Sequence, residues 1–194
     1  MKIYDISQEV FSCAVYPGNS SPEKQALYST QDGDLYNLTA FAMCAHNGTH
    51  IDAPFHFLSN GKTVEKMDLT HFVGDCFVAR HQGDVTAHDA EMILSRACGV
   101  QRILIAGKVT VTAEAAEIFA KSSIKLLGNE GQTVGPEDAP MQVHLILLKQ
   151  EIALLEGIVL RDVPEGHYFL SAAPLNLGGA DGAPCRAYLI EWEK

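Results

Sequence analysis

Residues 46–57, HNGTHIDAPFHF, place three histidines and an aspartate within eleven positions. Neutral imidazole and carboxylate are ligands that suit zinc, manganese and iron. A helix cannot deliver all four. At about 100° per residue, His46 and His50 share a face while Asp52 and His56 point to the far side. Gly48 and Pro54 also oppose a helix. In an extended chain, positions 46, 50, 52 and 56 are even steps apart and project from one face. Ile51, Ala53, Phe55 and Phe57 then turn toward the core. A straight strand would still hold His46 and His50 ~13 Å apart, too far for two bonds of ~2.0–2.1 Å to one cation. The chain must therefore bend between them. Gly48 is where a bend costs least, and Pro54 stiffens the exit and aims His56. Of the histidines outside this run, His71, His81, His88 and His167 lack such neighbours and read as surface residues.

The chain around this segment reads as one folded domain, residues 1–194. Hydrophobic residues make up 47% and charged residues 20%, a balance that disfavours disorder. A formal net charge of -10 argues against nucleic acid as a partner, because phosphate binding needs a basic patch. The five cysteines (13, 44, 76, 98 and 185) are widely spaced and contain no CxxC pair. They read as free thiols of a reducing compartment rather than a disulfide framework or zinc knuckle. Cys44, two residues before His46, lacks the partner spacing of a ligand or nucleophile. The N-terminal stretch has no long apolar core of a signal peptide, and no apolar run approaches the ~20 residues needed to span a bilayer. A cytoplasmic protein with no membrane contact is expected.

Strand and helix signals alternate. Residues 2–7, 75–81, 102–106, 124–128 and 152–160 read as strands, the last carrying one acid, Glu156, inside an apolar run. Thr86 and Thr112 each open a capped helix with early acidic residues. Residues 143–150 are helix-like. HYFLSAAPL and CRAYLIEW give two further strands separated by the Gly-rich turn GGADGAP. The pattern predicts an α/β domain with a mixed sheet.

The segment HNGTHIDAPFHF resembles the HxGTHxDxPxH signature of the metal-dependent cyclase-like hydrolases, a family that includes bacterial kynurenine formamidases. Four further stretches resemble the same family: DIS with a later PG, GKTVEKMDL, VHLILLKQEIALLEGI, and VPEGHYFLSAAPLNLGGADGAPCRA. The resemblance implies a swivelling β/β/α fold, assembled as a homodimer or homotetramer. It implies that His46, His50 and Asp52 hold a first metal, and that Asp52 bridges to a second held by His144 and Glu156. Glu156 agrees with the residue-level reading, since a buried carboxylate needs a partner or a metal. His144, read alone, is equally an ordinary helix residue. His56 matches the family's proton donor and acceptor. The implied cofactor is Zn2+, one or two per subunit, with Mn2+ in some members.

The implied reaction is hydrolysis of a C–N amide bond in a small molecule by metal-activated water, as in an arylformamidase. The chain departs from the formamidases in two loops: AGKVTVTAEAAEIF runs directly into its helix, and a GIDTPSVDP-like loop becomes GNEGQTVGP, with Glu130 and Gly135 at two Asp positions. Those loops are expected to shape the substrate pocket. Two other readings follow: an isatin-like cyclic-amide or lactone ring-opening hydrolase, and a metal-binding protein without catalysis. A proton-transfer residue at His56 disfavours the last, because binding alone needs no shuttle.

Overall fold

A computed structural model describes residues 1–192. Its strands are β1 (Lys2–Asp5), β2 (Glu23–Tyr28), β3 (Leu38–Ala42), β4 (His50–Asp52), β5 (Val73–Arg80), β6 (Gly83–Val85), β7 (Arg102–Ala106), β8 (Val109–Val111), β9 (Leu126–Asn129), β10 (Ala153–Glu156), β11 (Gly166–Ser171), β12 (Gly182–Pro184) and β13 (Tyr188–Glu191). The helices are α1 (Ala87–Ala97), α2 (Ala113–Ala120) and α3 (Met141–Leu148).

Nine strands form one mixed sheet in the order β1-β13-β11-β5-β7-β9-β10-β4-β12. The centre, β5-β7-β9-β10, is parallel, and both flanks are antiparallel. Strands covered on both faces read as continuous apolar runs, and RILIA in β7 is buried throughout. Its side chains divide: Ile103 and Ile105 join α1, α2 and α3 in one core, while Leu104 and Ala106 enter a second core with Ile51, Val64, Phe72 and Leu155. All three helices therefore pack on one face. The mixed α/β architecture inferred from the sequence is the one observed.

Both cap signals hold. Thr86 and Asp89 form a reciprocal capping box at α1, and the Thr112 side chain accepts from Ala115 N at α2. Short elements were not legible: β2 lacks an alternating apolar face, and β6 and β8 are three residues each.

Three expectations are corrected. Residues 46–57 are not one bent strand, because only His50–Asp52 is extended and Pro54–His56 forms a 3₁₀ turn. Proline suits the first position of such a turn, and His56 N donates to Ala53 O at 2.9 Å. Phe55 consequently leaves the core and is exposed, and Phe57 is only partly buried. The Gly-rich segment expected to be wholly a turn contains β12, which pairs with β4 and closes the sheet edge. The strand expected over 152–160 stops at Glu156, where Gly157 takes φ +66°.

Leu104 is fully buried. Leu104→Ala should lower unfolding stability by about 2–5 kcal/mol, the range for deleting a core leucine, measured as a shift in urea midpoint.

Candidate metal centre

The centre starts from a sharp bend. Gly48 has φ +63°, and a Cβ there would lie 3.1 Å from Cys13 Cβ. Gly157 approaches the same point, since a Cβ on it would stand 2.3 Å from Gly48 O. Two glycines back to back thus let the segment carrying His46 meet the end of β10. Thr49 Oγ1 donates to Gly157 O at 2.7 Å and locks the approach.

Beyond the bend, sheet register brings the groups together. His50 and Asp52 are two residues apart on β4 and share a face, while Ile51 enters the core behind them. Glu156 sits directly across from His50 in the antiparallel β10–β4 pair, and such pairs hold their Cβ atoms ~5 Å apart. α3 presents His144 to the same point. His50 Nε2 lies 3.4 Å from Asp52 Oδ1 and 3.6 Å from Glu156 Oε2. His144 Nε2 lies 3.4 Å from Asp52 Oδ2 and 3.3 Å from Glu156 Oε1. His46 Nδ1 is 2.7 Å from Asp52 Oδ1, and the His46 and His56 rings stack at 4.1 Å. All six residues named from the sequence converge on one site.

The ring nitrogens facing the carboxylates are fixed by hydrogen bonds on the opposite edge. His50 Nδ1–H donates to Gly48 O at 2.9 Å, and His144 Nδ1–H donates to Pro140 O at 2.8 Å. Carbonyls only accept, so Nε2 is the nitrogen each ring turns toward Asp52 and Glu156, the one that would ligate a metal once its proton is lost.

Electrostatics point the same way. Asp52 is 1% and Glu156 2% exposed, so two carboxylates are buried side by side. Asp52 Oδ2 is a buried oxygen without a hydrogen-bond partner, since its 3.4 Å approach to His144 lacks hydrogen-bond geometry. An orphaned buried carboxylate oxygen is costly unless a cation meets it. The two carboxylates compensate by holding protons on their neighbours. Burial opposes charge on His46, but the hydrogen bond and charge of Asp52, then Asp181, push it up to about 9. Burial likewise opposes charge on His144, yet Asp52 and Glu156 push it up to about 10. Burial opposes charge on Asp52 too, but the nearby imidazoles of His144, His46 and His50 hold it well below the usual carboxylate range. The site demands positive charge, and a divalent ion fits this donor set. Two trios bring their ligand atoms within 4.8 Å of one another: His50, Asp52 and Glu156, and His46, Asp52 and His56.

One side chain at the centre escaped the sequence reading. Asp181, in the turn before β12, contacts His46 and His56; an acid between glycines in GGADGAP was its only signal. A cavity of about 260 Å³ opens onto the histidines, walled by Tyr16, Asn19, Phe57, Gln132 and Thr133. Depressions of about 790 and 800 Å³ elsewhere contain none of the centre's side chains. Of the two loops expected to shape the pocket, 128–136 reaches this cavity through Gln132 and Thr133, whereas 106–119 does not line it and borders a separate depression. Glu130 instead turns away to accept from Gly107 N and Leu160 N, at 2.7 and 2.8 Å. Cys44 uses its main chain to hold Asn47, whose Oδ1 accepts from Cys44 N.

The family model described as "Putative cyclase" matches residues 4–136. The chain is 31% identical to a kynurenine formamidase of Erythrobacter litoralis, covering 98% of this chain and 94% of that protein. It is 33% identical to one from Bacillus anthracis, covering 97% of each. A solved structure described as "Potential Metal-Dependent Hydrolase With Cyclase Activity" superposes with a TM-score of 0.84 at 27% identity, over 100% of this chain and 99% of that one. Isatin hydrolase A from Labrenzia aggregata shares the fold, with a TM-score of 0.85 at 19% identity, over 99% and 94%. The chain belongs to the cyclase family of metal-dependent hydrolases.

A cation must displace protons from this centre. His46 and His144 are raised to about 9 and 10 in the metal-free protein, so both carry a proton at pH 7. Ligation needs neutral imidazole. Zinc binding at pH 7 should release protons, with affinity rising toward pH 9–10 as those groups deprotonate unaided. Titration calorimetry in buffers of different ionisation enthalpy measures the number released.

Proposed function

We propose that this chain is a metal-dependent amidohydrolase that opens the C–N bond of a small aryl formamide, as a kynurenine formamidase does. The observation that carries the reading is the buried Asp52–Glu156 pair ringed by His46, His50 and His144, with His56 beside it at the cavity wall. Full-length similarity to kynurenine formamidases supports the formamide as substrate. His46, His50 and Asp52 would hold one ion, and Asp52, His144 and Glu156 a second. Imidazole and carboxylate without thiolate favour Zn2+, with Mn2+ as the alternative. When bound, such an ion polarises a carbonyl and supplies a water nucleophile at neutral pH.

The remaining work falls to the chain's own side chains. Phe57 and Tyr16 offer aromatic faces for an aryl ring, and the Asn19 and Gln132 amides can orient polar substituents. Tyr16 OH donates to Glu137 O at 2.8 Å, which anchors that wall of the cavity. In the reaction the formyl C–N bond breaks, the water oxygen joins the formyl carbon, and a proton must reach the leaving nitrogen. His56 would carry it. Burial, then the charge of nearby His46, lower its proton affinity against the pull of Asp52 and Asp181, so it stays neutral and able to accept. General acid–base transfer of this kind contributes ~10²–10⁴ in rate.

Self-association as a homodimer or homotetramer completes the reading. The β2–β3 hairpin lies outside the main sheet and exposes Leu27, Tyr28, Leu35, Tyr36, Leu38 and Phe41. A two-stranded hairpin with such a surface is stabilised when another surface covers it. No described helix is long and apolar enough to cross a membrane; a cytoplasmic location is proposed from composition alone.

His56→Ala should lower kcat on N-formylkynurenine by about 10²–10⁴ while zinc content per chain stays at the wild-type value. Loss of metal as well would make His56 a ligand. Asp52→Ala should strip the metal, read by elemental analysis, and full occupancy would remove the bridging role. Isatin and a simple lactone belong in the same assay, since faster turnover of either would replace the formamide reading.

Light scattering on the purified protein should give a mass of two or four chains. Leu35→Asp with Phe41→Asp should shift it toward one.

A further inference from the structure

We infer that Asp181 is a positioning residue that holds His46 and His56 in a single arrangement. The inference rests on the hydrolase reading of this centre. One carboxylate oxygen serves both rings: Asp181 Oδ2 lies 2.8 Å from His46 Nε2 and 3.1 Å from His56 Nδ1. The same two rings stack at 4.1 Å with 30° between their planes, so neither turns without disturbing the other.

The main chain around Asp181 is locked to the segment that bears both histidines. Ala53 N donates to Asp181 O at 2.9 Å, Val64 N donates to Ala180 O at 2.9 Å, and Gly182 pairs with Asp52 in the β12–β4 register. Gly182 also has to be glycine. A Cβ there would lie 2.5 Å from Ile51 O and 2.8 Å from His46 Cε1, so the imidazole rests directly on bare backbone. The turn thus supplies a floor for His46 through Gly182 and an acceptor through Asp181.

The chemistry follows from which nitrogen carries the proton. In the metal-free protein His46 meets a carboxylate on each edge, Asp52 at Nδ1 and Asp181 at Nε2; a cation taking the place of the Nδ1 proton would leave Asp181 holding the Nε2–H. Such carboxylate–histidine pairs fix the tautomer and raise the basicity of the ligating nitrogen. On His56, Asp181 takes Nδ1–H and leaves Nε2 as the atom that exchanges a proton with substrate. His50 and His144 are oriented by the neutral carbonyls of Gly48 and Pro140. The rings of His46 and His56 instead share a charged acceptor. Asp181 is not part of the cavity wall, so it acts through these rings rather than on the substrate.

The test uses Asp181→Ala, Asp181→Asn, His56→Ala and the His56→Ala/Asp181→Ala double variant. Asp181 is 42% exposed at its side chain, so the alanine leaves no core cavity. With saturating zinc and N-formylkynurenine, Asp181→Ala should lower kcat by about 10–100-fold, the usual loss for a residue that orients a metal-site histidine. KM should stay within about twofold, because no substrate contact is removed. Asp181→Asn keeps an acceptor and should recover part of the loss. In the His56→Ala background, Asp181→Ala should cost far less than in wild type. Equal losses in both backgrounds would overturn the action through His56. Zinc affinity of the metal-free protein, measured against a competing chelator, should weaken by about 10–100-fold, and unchanged affinity would overturn the action through His46. A wild-type protein that hydrolyses no formamide would sink the functional reading alone, since the zinc titration still reports on Asp181.

Discussion

Two carboxylates buried side by side govern this protein. Asp52 and Glu156 are almost wholly removed from water, and Asp52 keeps one oxygen with no hydrogen-bond partner. Burying an unpaired carboxylate costs far more than any one hydrogen bond returns. The surrounding structure is therefore organised to bring positive charge to this point. Three imidazoles converge on it, two of them with backbone carbonyls fixing which nitrogen faces inward. The demand for a cation comes from the chain's own packing.

The sheet makes that convergence affordable in conformational terms. His50 and Glu156 meet because their strands pair antiparallel, and Asp52 joins them because side chains alternate along β4. Only His46, His56 and His144 need separate devices. His46 arrives by the Gly48 bend, His56 by the proline-initiated turn, and His144 by α3. Strands and a helix carry His50, Asp52, Glu156 and His144, while loops carry His46 and much of the wall around them.

Much of this was legible in the sequence. The extended geometry of His50–Asp52 follows from apolar alternation, and the Gly48 bend follows from the distance two imidazoles must close. Ladder pairing is a different matter. No local pattern says that β10 lies against β4 or that Gly182–Pro184 adds a strand to the edge, because partners 102–134 positions apart leave no periodic trace. His144 and Glu156 therefore needed the family resemblance, although an acid inside IALLEGIVL was itself a signal. The 3₁₀ turn at Pro54 broke the alternation just where the sequence reading extended it, which is why Phe55 faces water. Asp181 was missed because a carboxylate in a Gly-rich turn looks like ordinary turn chemistry.

The Glu130 side chain has a consequence for how such an enzyme diversifies. It ties the loop 128–136 to Gly107 and Leu160 on the side away from the histidines. The loop is thereby anchored by a clamp that takes no part in the chemistry, while Gln132 projects into the cavity a few residues on. Changes at Gln132, and at Asn19 across the cavity, can reshape the chamber without loosening either the clamp or strands β4 and β10. The chamber can thus be recut one wall residue at a time, one core under an exchangeable rim.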